Sequence, residues 1–352
     1  LTLTQGILRI NSDVSVDGDI DGDGTPGITV DGDGNSGILL VDSGTSQLRG
    51  LTLTGGASFY GPGIQLENDA SLTLISSQVT NNTAQGRGGG IHVRPYAQLH
   101  VVDSSISNNT SGRGGGIFNS GTLTVAGSTI SNNIGGSQGG GIASYGVSGF
   151  PNPSTYIRDS VISGNNGRDG GGGFFQGSAT LSGVQILNNT GRKGGGIFSS
   201  GELHLLGSTL SGNTVSELGG GLNHARGALF VTNTTIEGNR AYAGAGIDFT
   251  AQTATATGNI TSSTITGNYA SGYTGGILSL GQKSFSISNS IVAGNSHPAS
   301  VPSYIPRDLW GSQGSGAGTN LIGQDIPYTV ADIFAEVDPV TGGGLLADNG
   351  GQ

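Results

Sequence analysis

Hydrophobic and polar positions alternate along this chain over short stretches, as in Leu123-Thr124-Val125, Thr129-Ile130-Ser131 and Gly116-Ile117-Phe118. Period-two alternation rich in β-branched residues describes strands. No segment sustains an apolar period of about 3.6 residues, so almost no α-helix is expected. The strands fall into a repeat. An apolar residue followed three positions later by Asn recurs at Val79/Asn82, Ile106/Asn109, Ile130/Asn133, Ile162/Asn165, Ile186/Asn189, Leu210/Asn213, Ile236/Asn239, Ile265/Asn268 and Val292/Asn295. Successive asparagines stand 27, 24, 32, 24, 24, 26, 29 and 27 residues apart. After each of the first eight, small residues, mostly a glycine triplet, precede an apolar residue: Ile91, Ile117, Ile142, Phe174, Ile197, Leu222, Ile247 and Ile277.

Two signatures in fixed phase predict an all-β chain built as a single right-handed parallel β-helix. Each rung is expected to hold three short strands and three turns. About thirteen rungs of roughly 26 residues, stacked ~4.8 Å apart, would form a rod about 60 Å long. The apolar residues should point inward and stack rung on rung. Asparagine tolerates left-handed backbone angles in a tight turn, and its amide can bond to the next Asn in a ladder. The triple glycines suit a turn where a Cβ would strike the adjacent rung. The single domain, 1–352, divides into Asp-rich first rungs (1–45), regular repeats (46–295) and irregular C-terminal rungs or a cap (296–352). In that last part Tyr304, Ile305, Leu309 and Trp310 are expected to fold over the open end of the core.

Composition narrows the classes. The 352 residues include 70 Gly and 10 Pro, with 33% hydrophobic residues, which argues for an ordered repeat rather than a disordered chain. There is no Cys, so disulfides, thiol chemistry and thiolate metal sites are excluded. The net charge of −10 argues against nucleic acid as a partner. No apolar run approaches the ~20 residues of a membrane span. Low Lys content and the missing Met suggest a mature product or fragment of a secreted or bacterial cell-surface protein.

The glycine signature resembles the GGA-I/L/V motif of the polymorphic outer-membrane proteins, and Ile-x-x-Asn resembles their F-x-x-N motif. Here Ile replaces Phe, and Gly replaces Ala except at Gly244-Ala245-Gly246-Ile247. Asn320-Leu321-Ile322-Gly323 and Leu345-Leu346-Ala347-Asp348-Asn349-Gly350-Gly351 resemble the end of bacterial choice-of-anchor β-helix proteins. The resemblance implies cell-surface or secreted display and brings no shared catalytic residues. More solenoid or an anchor is expected beyond Gly351.

Function is sought where the repeat breaks. The 32-residue interval holds an insertion, 144–156, in which Tyr145, Phe150 and Tyr156 could meet a sugar or a protein partner. A second insertion lies near Thr250–Gly258. The opening 45 residues carry eight aspartates against one Arg, and Asp17, Asp19, Asp21 and Asp23 match D-x-D-x-D-G twice. That spacing converges carboxylates as Ca²⁺ requires, although the bidentate Glu of an EF-hand is missing. Arg87, Arg113 and Arg192, just ahead of the triple glycines, could form a basic stripe for anionic glycan. Arg158-Asp159 and Arg168-Asp169 read as surface ion pairs.

Catalysis finds little support. Glycoside hydrolysis needs two carboxylates on one face, and Asp103, Asp159 and Asp169 lie in different rungs or turns. A lyase needs a basic residue beside calcium-binding acids, and Lys193 and Lys283 have none. His92, His100, His204, His224 and His297 lack metal-ligand spacing. The expectation is a non-catalytic stalk, filament or adhesin-like passenger, whose partners are other surface proteins, host or matrix glycans, or copies of itself. The alternative is a polysaccharide-binding or polysaccharide-cleaving β-helix. A third reading, ice binding, rests on Thr52, Thr54, Thr73, Thr122 and Thr124.

Overall fold

The computed structural model describes residues 1–249, 256–280, 284–302, 305–311 and 320–323, with the backbone of two short strands, Glu336–Val337 and Gly344–Leu345. The second insertion therefore lies mostly outside the described residues, as do Tyr304, Lys283 and most of the stretch from Leu345. The described residues form an all-β parallel β-solenoid without helix, of about eleven turns rather than thirteen: two of its sheets hold 12 strands and a third holds 11. Each turn uses more chain at the start than the repeat suggests, Leu8 pairing with Leu39.

A rung has four strands, not the expected three. One turn runs Ile91–Val93, Gln98–Val102, Ser105–Ser107 and Thr110–Arg113, which join the first, second, third and fourth sheets. The fourth strand escapes a pattern search because it has few large apolar residues to bury. Its inward positions are Ala84, Ser111, Gly135 and Gly167, and register slips within it blur the alternation.

Inward columns are aliphatic. Val79, Ile106, Ile130, Ile162, Ile186, Leu210, Ile236 and Ile265 stack in the third sheet and are fully or almost fully buried. In the first sheet Ile91, Ile117 and Ile142 do the same. Phe174 departs from expectation. Gly173 holds the inward position opposite Ile142, and the Phe175 ring fills the space its side chain would take. Phe174 faces the other side.

The asparagines form the ladder anticipated from their spacing. Asn109 Nδ2 donates to Asn133 Oδ1 at 3.0 Å and to the Val79 carbonyl at 2.9 Å, while its backbone N–H donates to the same Oδ1 at 3.0 Å. This pattern runs from Asn82 to Asn295 and closes on Asp308 Oδ1. The left-handed angle belongs to the preceding residue, however: Asn81, Asn108, Asn132 and Asn188, or a Gly such as Gly164. The ladder residue is thus free for bonding while its neighbour turns the chain.

A parallel ladder at the next corner comes from serine. The backbone N–H groups of Ser77, Ser104 and Ser128 donate to Ser104, Ser128 and Ser160 Oγ at 3.0, 3.0 and 3.1 Å. Asp103 and Asp159 are the left-handed residues before Ser104 and Ser160, which explains two acids as turn formers. Gly115 shows why the glycine triplet is needed: a Cβ there would lie 2.4 Å from the Gly140 carbonyl oxygen of the next rung.

The described parts of the C-terminal segment continue the rungs. Leu309–Gly311 adds a strand to the first sheet in register with Ile277–Ser279, and Trp310 stacks on Tyr273 with ring centroids 5.5 Å apart. Leu321–Ile322 likewise extends the third sheet.

Candidate functional site

The first sheet exposes its middle residues to the outside of the rod. Gln65, His92, Phe118, Ala143, Phe174 and Phe198 align there, one per rung. Beside them run the last residues of the fourth strands, Tyr60, Arg87, Arg113 and Gln138, followed by Asp169 and Lys193. The two columns close on each other. Tyr60 lies over His92 at 5.3 Å between ring centroids, and His92 meets Phe118 edge-on at 5.4 Å. The Arg87 guanidinium sits 5.0 Å over the Phe118 ring and that of Arg113 5.4 Å over Tyr145, positions that fix two cations by π attraction. Outward residues become buried as a result: Phe118 is fully covered and His92 is 5% exposed.

The insertion folds back over these rungs. Phe150 packs against Tyr96 at 5.7 Å, and Val147 and Phe150 close a cleft of about 210 Å³ whose other walls include Tyr60, Arg87, His92 and Arg94. Tyr60 and Arg87 also line a neighbouring groove of about 330 Å³ with Phe59 and Arg113. Neither opening has a carboxylate in its lining. Among the described residues Arg87 and Arg113 have no ion-pair partner, whereas Arg94 is held by Glu67 at 3.2 Å. His92 is kept neutral: burial first, then the charges of Arg94 and Arg87, lower its pKa to about 3. Its Nδ1 is buried without a hydrogen-bond partner.

The three expected contact aromatics separate. Phe150 is in the cleft, and Tyr145 packs on the outward column against Phe174 at 6.0 Å. Tyr156 belongs to the strand Ser154–Arg158, aligned with Thr124 and Thr180 on the second sheet. The basic stripe is also shorter than expected. Arg192 precedes the column position by one residue, where Lys193 stands, and pairs with Asp169 at 3.2 Å and Glu217 at 3.1 Å. Asp169 therefore bonds across rungs rather than to Arg168, while Arg158 and Asp159 do pair, at 3.2 Å.

In the aspartate turn, Asp19, Asp21 and Asp23 can each bring a carboxylate oxygen within 4.8 Å of the others. Asp17 stands apart from this group: its Oδ1 accepts the Asp19 N–H at 3.0 Å and lies 3.8 Å from Arg49. Arg49 takes Asp19 at 2.8 Å, and Thr25 holds the Asp23 carboxyl below the ordinary range through side-chain and backbone hydrogen bonds. Two exposed carboxylates, Asp21 and Asp23, are left to face an ion beside a partly neutralised third.

Other candidates disperse. His92 and His100 lie on different sheets, and His204 bonds Glu202 at 2.7 Å. Thr52 and Thr54 belong to the third sheet but Thr73, Thr122 and Thr124 to the second, so the five form no single array. Sequence reasoning missed Tyr60 and Arg94, and the part His92 plays. The arginine before each of two glycine triplets and the insertion bearing Phe150 signalled this region.

A right-handed parallel solenoid with an arginine- and aromatic-lined cleft under its longest loop defines the class. The chain belongs to the family described as right handed beta helix region, whose model matches residues 36–215. No curated protein and no solved structure matches it.

Proposed function

We propose that the chain is an extracellular or cell-surface β-solenoid, a stalk or adhesin-like passenger that displays a binding surface and does no chemistry. The observation carrying this reading is the continuity of the asparagine ladder. From Asn82 to Asn295 the Asn ladder has no gap, so the repeat is committed to holding a rigid rod. The clefts support the same reading, since neither is lined by the acid pair a hydrolase uses. The resemblance of the glycine and asparagine motifs to polymorphic outer-membrane and choice-of-anchor proteins favours display at a surface. Partners in keeping with this role are glycans, other surface proteins or further copies. Incubation with polygalacturonate and alginate, read as new reducing ends and as unsaturated product, tests it. Neither is expected; turnover abolished by one acid substitution would replace the scaffold with an enzyme.

A further inference from the structure

We infer that the cleft between Tyr60, Arg87, His92, Arg94 and Phe150, with Arg113 in the adjoining groove, binds an anionic sugar unit, carboxylated or sulfated, of an extended glycan. This deepens the display reading, on which it rests for its non-catalytic character. Three independent observations converge. The first is charge: a protein of net charge −10 gathers three arginines here, and only one of them, Arg94, is paired, with Glu67. Arg87 and Arg113 are held by stacking on Phe118 and Tyr145, which leaves their N–H edges to meet a ligand oxyanion.

The second is His92. Its Nδ1 is buried and has no hydrogen-bond partner, although the ring lines the cleft. Leaving such a group unsatisfied costs about 1–3 kcal/mol. A sugar hydroxyl both donates and accepts, so it serves either tautomer of the neutral ring. The third is the aromatic wall. Phe150 is 39% exposed, and the loop that carries it folds back two rungs to set it against Tyr96, itself 53% exposed in the turn after Ile91–Val93. An apolar ring beside fixed cations suits a sugar, which has an apolar face and charged edges. A nucleic acid carries the same charge but would meet the acidic remainder of the rod over any longer contact.

The test uses the whole chain and four probes of equal length: galacturonate oligomers, their methyl esters, a sulfated oligosaccharide and a neutral glucan. Calorimetric titration should show binding to one or both charged probes and none to the other two. Uronate alone identifies a carboxylate site, and sulfated sugar alone a sulfate site. Arg87→Gln, tolerated because Gln138 occupies the same column two rungs on, should weaken binding about tenfold with unchanged melting. Phe150→Ala should weaken it several-fold. His92→Phe is diagnostic, since Phe118 already fits this column: it should weaken binding yet hold or raise the melting temperature. Three results overturn the inference: no charged probe binds, all charged probes bind equally with Phe150→Ala and Arg87→Gln without effect, or His92→Phe leaves affinity unchanged. Product release during the same titrations would sink the non-catalytic reading while leaving the site itself standing.

Discussion

Asn109 and His92 are both buried polar side chains of one rung, yet they are treated differently. Asn109 spends both amide groups on the rungs above and below and on a backbone carbonyl. His92, roofed by Tyr60 and flanked by Phe118, keeps one nitrogen unpaired. Protein interiors rarely tolerate such a group without reason. The difference separates a residue that spends its polar groups on building the rod from one that does not.

The sharpest way to break this contrast is to cut the ladder. Asn165→Ala removes the acceptor for the Asn133 N–H and Nδ2, and leaves the Ile130 carbonyl and Asn189 Oδ1 short of a donor. At about 1–3 kcal/mol for each orphaned group, the loss should be about 4 kcal/mol or more in urea unfolding. A loss under 1 kcal/mol would mean that the ladder contributes little.

Acid comes next. His92 has a folded pKa near 3, well below the usual 6.5, with Arg87 and Arg94 facing it and Tyr60 over it. The unfolded chain therefore binds the extra proton first. Stability attributable to this residue is intact above pH 6.5 and falls by about 1.4 kcal/mol per pH unit below it, down to pH 3. Unfolding curves between pH 7 and 4.5 should flatten in His92→Phe by about 2–3 kcal/mol over that span; equal slopes would show that the ring titrates normally.

Ser128→Ala deprives the Ser104 N–H of its acceptor and should cost about 1–2 kcal/mol, clearly less than the Asn lesion. The smallest effect concerns calcium. With Arg49 on Asp19 and Asp17 turned aside, we expect only weak binding, with Kd about 10⁻⁴–10⁻³ M as in extracellular modules. One millimolar calcium should then raise stability by about 0.4–1.4 kcal/mol, lost in Asp21→Asn. Calorimetric silence, together with indifference to chelator, would leave the turn as a hydrogen-bonded corner.

Much of the rod was legible in the residues, because stacking forces the same chemistry to recur at the same place. Ile130 and Asn133 announce themselves through Ile106 and Asn109. The fourth strand was not legible, since Ala84, Ser111 and Gly135 bury little apolar area and give no alternation. Nor was Gly173 visible as the inward residue, because a fourth glycine beside Phe174 shifts the frame by one. The cleft was readable only in fragments. Tyr60, His92 and Phe150 span 90 positions and meet because rungs stack and a loop folds backward; the insertion length showed that a loop exists, not which rungs it covers. Arg192 misled for a local reason: Lys193 stands between it and the glycine, so the two signatures that looked alike differ by one residue in register.

The asparagine ladder also gives the rod a direction. Every side-chain amide from Asn82 to Asn268 donates toward the C-terminal neighbour and accepts from the N-terminal one, so their dipoles line up rather than cancel. Such a file polarises along its length, each bond strengthening the next. Its donor end falls on Asn295, where a carboxylate, Asp308, replaces the amide that would come next. The anion stands to this row of dipoles as an acidic residue stands to the start of a helix. Reversing the charge there should unsettle the rungs next to Asn295 first.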